Sequence, residues 1–90
     1  ALQVRHPVAP AVEGLLEQVW AEYWRMAGEQ DRALQHRLRA LSIFERIGDR
    51  RSVLATHRNL MEMYADAGDL AKVEQSARVI FNEAARTTVE

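Results

Sequence analysis

The chain contains no cysteine, so it has neither a disulfide framework nor a thiolate metal site, and a reducing, cytoplasmic compartment is the default expectation. Its only two prolines, Pro7 and Pro10, lie in the opening "RHPVAPAVEG", where they deny a helix to the first ten residues or so. Residues 1–11 are therefore expected to be an extended segment. No apolar run approaches the roughly 20 residues that span a bilayer, so no membrane segment is expected. The opening also lacks the basic-then-apolar order of a signal peptide. It starts with Ala rather than Met, which reads as a processed product or a piece of something longer.

Strong charge of one sign is missing too. The net charge is −1 over 90 residues, which exerts no general pull toward nucleic acid or anionic lipid. The distribution is uneven, however: residues 32–60 carry seven Arg against Glu45 and Asp49, whereas both flanks are acidic. Ninety residues make at most one small domain with a modest core, so a partner that extends the core is plausible from the outset.

What the chain does have is helical periodicity. In "AVEGLLEQVWAEYWRMAG", Val12, Leu15, Leu16, Val19, Trp20, Tyr23, Trp24 and Ala27 recur at threes and fours, the spacing that lines one helix face and predicts its core side. A second helix is predicted from about Gln30 to Ile47, with Leu34, Leu38, Leu41, Phe44 and Ile47 as its stripe. After a loop at "DRRS", a third runs from about Arg51 to Ala67, buried through Leu54, His57 or Arg58, Leu60, Met61 and Tyr64. The fourth, capped by Asp69 and ending near Arg86, turns Leu70, Val73, Ala77, Ile80, Phe81 and Ala84 inward, leaving 87–90 frayed. No stretch alternates with period two for long enough to be a strand, so the class is all-α.

Gly28 and Gly68 close the first and third helices, and the links after them are about two residues long. Links so short fold consecutive helices back as antiparallel hairpins, one over about 12–47 and one over about 51–86. Shifting the second by 40 residues lays it on the first: Trp20 falls on Leu60, Trp24 on Tyr64, Ala27-Gly28-Glu29 on Ala67-Gly68-Asp69, Ala33 on Val73 and Leu41 on Phe81.

These residues resemble the tetratricopeptide repeat, whose signature W-x2-L-G-x2-Y is followed by a Gly-Asp turn, a small residue, and later a Phe and an Ala. Leu60, Tyr64, Gly68 and Asp69 carry the match in the second hairpin; Trp20, Ala21, Trp24, Gly28, Glu29, Ala33 and Ala40 carry it in the first. "ALSIFERIGDRRS" is similar to the joint of the longer variety of this family, common in bacterial regulators and signalling proteins. Arg37 and Ala77 stand where that pattern has an aromatic, and Met61 where it has Gly or Ala. The resemblance implies a short α-solenoid of two stacked hairpins over residues 12–86, without enzymatic activity, acting in protein–protein interaction or self-association within a larger regulatory protein.

It also implies a concave groove for a protein or peptide partner. The groove candidates are Gln18, Glu22, Arg25 and Met26 on the first helix and Arg58, Asn59, Glu62 and Asp66 on the third. Arg58 with Asn59 offers donors for a terminal carboxylate. Two units fall short of the three that repeat arrays usually need, so the far end of the stack, Val73, Ala77, Phe81 and Ala84, is expected to mediate self-association into a homo-oligomer. A basic stripe, Arg32, His36, Arg39 and Arg46 with Arg50 and Arg51 beyond it, is the alternative contact for nucleic acid or an acidic partner.

No catalytic, metal or cofactor site is expected. His6, His36 and His57 have no second ligand at metal spacing, and Ser42, Ser52 and Ser76 lie in no nucleophile motif. His57 falls on Glu17 under the repeat shift, which suggests a hydrogen bond between hairpins. Met26, Met61 and Met63 read as packing material, and Trp20 and Trp24 as core.

Overall fold

The computed structural model describes residues 9–89, which form four α-helices: α1 (Pro10–Met26), α2 (Gln30–Ile47), α3 (Arg50–Asp66) and α4 (Leu70–Val89). Of the segment expected to be extended, residues 1–8 lie outside the described residues. Pro10 itself begins α1, in the first-turn position where its missing N–H costs nothing. Two further boundaries differ from expectation. "DRRS" is no loop, since only Gly48 and Asp49 separate α2 from α3; Asp49 accepts the Ser52 N–H at 3.1 Å and the Ser52 hydroxyl at 2.7 Å, which starts the new helix at once. At the other end, α4 continues past Arg86 to Val89.

The three reversals are built alike. In each, a glycine with φ between 73° and 81° follows the helix, and two backbone bonds close its end. Gly28 N–H donates to Arg25 O and Glu29 N–H to Trp24 O; Gly48 and Asp49 donate to Glu45 and Phe44; Gly68 and Asp69 donate to Ala65 and Tyr64. This is the left-handed cap in which glycine escapes the Cβ penalty. Its recurrence every 20 residues sets the helices antiparallel in turn. α1 packs on α2, α2 on α3 and α3 on α4, giving two stacked hairpins in a flat body of 52 × 37 × 16 Å.

The core runs along the small side of these helices. Its fully buried apolar members are Ala21, Ala33, Ala40, Phe44 and Leu60. Thr56, Ser76 and Arg37 are buried with them. Phe44 is seated against Gly14, where a Cβ would stand 2.6 Å from the ring edge. Forty residues on, Leu54 and Ala84 occupy the equivalent positions, the large and small members having changed places.

The predicted stripe of α1 is therefore on the wrong side. α1 turns Gly14 and Ala21 toward α2, while Val12, Leu15, Leu16, Val19, Trp20, Tyr23 and Met26 face outward, 46% to 76% exposed. Small residues win the interior because two helices approach more closely through them, and α2 answers with its own Ala33 and Ala40. In α2 the expected stripe is only partly displaced: Phe44 is buried and Leu34 and Leu41 are half-buried, but Ala33, Arg37 and Ala40 complete the buried line while Leu38 and Ile47 are exposed. In α3, Thr56 joins Leu60 inside, whereas Arg58 is exposed. In α4, Leu70 and Phe81 are exposed, and Ser76 is buried.

Candidate interaction surfaces

Three surfaces carry the residues singled out from sequence. The first is a cleft of about 530 Å³ between α1, α2 and α3, lined by Glu22, Arg25, Gln30, Arg37, Asn59, Glu62, Met63 and Asp66. Five of the eight groove candidates, Glu22, Arg25, Asn59, Glu62 and Asp66, line it. Gln18 lies on the network beneath it. Met26 and Arg58 are exposed outside the lining, so the pairing of Arg58 with Asn59 around a carboxylate has no support in the geometry.

Arg37 organises the floor of this cleft. It is buried, its Nη2 donates to Glu22 Oε2 at 2.9 Å, and its Nη1 donates to Gln18 Oε1 at 2.6 Å. Gln18 Nε2 in turn donates to Thr56 Oγ1 at 2.8 Å, and that hydroxyl donates to the Ser52 carbonyl at 2.7 Å. One hydrogen-bonded chain thus links α1, α2 and α3 across the hairpin boundary. Arg37 Nε is buried with no acceptor. Burying a guanidinium is tolerable only with such partners. Sequence reading missed it because the family pattern has an aromatic there; the signal was a cation at the i+4 position between Ala33 and Phe44 on the line that became the core.

At the cleft's edge, Arg25 Nε and Nη2 donate to Glu22 Oε1 at 3.0 and 2.6 Å. The Arg25 bond, joined by Arg37, holds the Glu22 carboxyl below its ordinary range despite some desolvation. The same pairing raises Arg25 further above its ordinary value, with Glu62 and Asp66 adding to it. Both cations are consequently committed to Glu22, and the cleft presents Glu62 and Asp66 alongside neutral Asn59 and Gln30.

The second surface is the basic stripe. Arg32 lies over the Trp24 ring, 4.6 Å from its centroid, and approaches Glu29 at 3.9 Å. His36 Nδ1 bonds Glu17 at 2.8 Å and stacks on Trp20, while Arg39 approaches the other Glu17 oxygen at 3.9 Å. Arg46 shares a shallow surface pocket with Arg39, Glu13 and Glu17. Arg50 and Arg51 stand in the first turn of α3. The stripe is interleaved with the acids of α1 rather than presented as a continuous cationic track.

The His36–Glu17 bond has a counterpart 40 residues on, where His57 Nδ1 meets Ser76 Oγ at 3.3 Å. Each joins the two helices of one hairpin. The expectation that His57 bridges neighbouring hairpins is thus corrected: under the repeat, His57 takes the place of Glu17 and Ser76 the place of His36. Desolvation lowers the His57 pKa, partly opposed by Glu45.

The third surface is the two ends of the stack. At the α4 end, Val73 and Ala77 are half-buried, and Phe81 and Ala84 are exposed. Positions Leu34 and Leu38 of α2 correspond in α4 to Glu74 and Arg78, which form an exposed ion pair at 3.0 Å. At the α1 end, positions 12, 15, 16, 19, 20, 23 and 26 present no charged residue at all. Tyr23 and Trp20 stack edge-on there at 5.7 Å.

Among the described residues, no helix is long and apolar enough to cross a membrane, and no group of three or more His, Asp or Glu side chains could hold a metal ion. No protein-family model, curated protein or solved structure matches the chain.

Proposed function

We propose that this chain is a non-catalytic protein-interaction module of tetratricopeptide type, part of a bacterial regulatory or signalling protein, and that α1 supplies its principal contact surface. The observation that carries this reading is the outward apolar face of α1. Solvent-facing helix surfaces are ordinarily charged, and a contiguous apolar patch beyond a few hundred Å² marks an interaction site. Repeat architecture supports the same reading, because a hairpin buries its apolar faces only by stacking on neighbours. The cleft above Arg37 is a second, more polar surface, where Asn59, Glu62 and Asp66 favour a peptide bearing amide or cationic groups.

The test is affinity capture with the full chain and with Leu16→Glu. Leu16 is exposed, so the variant keeps its helicity. The reading expects partner polypeptides recovered by the parent chain to be absent with Leu16→Glu; recovery of the same set by both contradicts it.

A further inference from the structure

The repeat shows what is missing beside α1. Leu16 and Trp20 correspond, 40 residues on, to Thr56 and Leu60. Thr56 and Leu60 are 0% and 1% exposed, enclosed by helices on both sides of α3, whereas Leu16 and Trp20 are 48% and 49% exposed. Among the described residues, α1 therefore has no helix on its outer side. A head-to-tail contact would place α4 of another copy there, as α2 is placed beside α3. That arrangement sets Phe81 where α2 has Leu41, but it also sets Glu74 where α2 has the half-buried Leu34, and desolvating one member of the Glu74–Arg78 ion pair opposite leucine and valine is unfavourable. α4 does not fit the vacancy.

α1 itself does. Val12, Leu16, Val19, Tyr23 and Met26 follow one another at intervals of four, three, four and three, the spacing of a helix-pairing seam, with Leu15 and Trp20 along its margins. The sequence is balanced about Val19. In an antiparallel pair crossing there, Val12 lies opposite Met26 and Leu15 opposite Tyr23, so that on either side of the central Val19 pair a smaller side chain meets a larger one. Antiparallel order also sets the positive end of each helix beside the negative end of the other.

The area is of the right size. Seven apolar side chains about half exposed, with Trp20 and Tyr23 of the size that buries about 150–250 Å² each, leave on the order of 600 Å² per chain. A symmetric pair removes roughly 1,200 Å² from water, within the range of specific interfaces.

We propose that the outer face of α1 is occupied by α1 of a second copy of this chain, antiparallel across a two-fold axis near Val19. This rests on the interaction reading above and names its partner. The contact is isologous, so it closes at two chains and does not propagate into fibres. It also moves self-association away from Phe81 and the α4 end.

Sedimentation equilibrium of the full chain from about 1 to about 100 μM brackets micromolar self-association. The proposal expects a dimer for the parent chain, a monomer of unchanged helicity for Val19→Glu, and a dimer for Phe81→Glu. It further expects a mixture of Val12→Cys and Met26→Cys chains to oxidise to the mixed disulfide in preference to either chain alone. Dimers that survive Val19→Glu overturn the location, and self-linked Val12→Cys overturns the orientation. A parent chain that stays monomeric overturns the second copy as occupant. A photo-crosslinking phenylalanine in place of Leu16, expressed in cells, then separates the two failures. Crosslinks to another polypeptide leave the interaction reading standing with a different occupant, whereas no crosslink removes both. Should Val19→Glu lose helicity, Leu15→Glu, on the margin of the same face, replaces it with the same expected outcomes.

Discussion

Gly14 shows how one residue directs a helix. In the middle of α1 it forfeits up to about 1 kcal/mol of helix propensity relative to alanine. It is retained against that cost by Phe44, whose ring edge would lie 2.6 Å from an added Cβ. The expected result of Gly14→Ala is therefore a net loss of about 1–3 kcal/mol in chemical denaturation, because overpacking outweighs the propensity gain. Combining it with Phe44→Leu should recover part of the loss; a stabilised Gly14→Ala would show that α1 does not approach α2 at this point. Arg37 is the converse case, a large cation accepted inside because Gln18 and Glu22 meet it. Neither residue was legible from periodicity, since a glycine and an arginine both score as outside the core until the neighbouring helix is in place.

At the scale of the element, the four helices, their antiparallel order and the reversals at Gly28 and Gly68 could be read directly, because caps and spacing are local properties of the chain; the equally short reversal at Gly48 was expected as a loop. Which face of α1 turns inward could not, although Phe44 of α2 and Leu60 of α3 are buried as expected. α1 has two usable faces, one small and one large, and periodicity detects the larger; the choice depends on the alanines of α2, which lie outside the window being read. The cleft residues on α1 and α3 were mostly legible, as they are the positions left over once the hairpins are drawn.

The hairpins are also tied by side chains, through His36 with Glu17 and His57 with Ser76. Burial lowers the His57 pKa, so the folded state favours the neutral ring. Above the ordinary value of 6.5 both folded and unfolded chains carry it neutral, and it imposes no penalty. As pH falls through that value the unfolded chain binds the proton first, and stability declines until the folded site is protonated too. His57→Gln is expected to flatten the fall in stability between about pH 7 and pH 5. An unaltered slope would show that His57 is not desolvated between α3 and α4. Losses tied to Glu22 and Asp49, whose pKa values are lowered by Arg25 and by Ser52, belong to lower pH, because those carboxylates stabilise the fold until they protonate.

For the whole molecule, the 40-residue repeat makes two hairpins that share a small core, with unlike ends. One end is α4, where the Glu74–Arg78 ion pair stands beside the exposed Phe81. The other is α1, apolar throughout its outer arc. A flat body 16 Å thick has little interior, so the surface at α1 is large in proportion to what the fold conceals. The two hairpins were legible in sequence, whereas the character of the ends of the stack emerged only once the faces were assigned.

Because the chain has no cysteine, single thiols report this orientation without background. The most direct measurement is the labelling rate of Leu16→Cys and of Ala21→Cys, each in the Val19→Glu background that prevents pairing. Outward orientation of the large face predicts rapid labelling at position 16, near the rate of an unfolded peptide, and protection at position 21 that yields only on unfolding. Protection at 16 with ready labelling at 21 would place the leucines and tryptophan of α1 in the core and contradict the account.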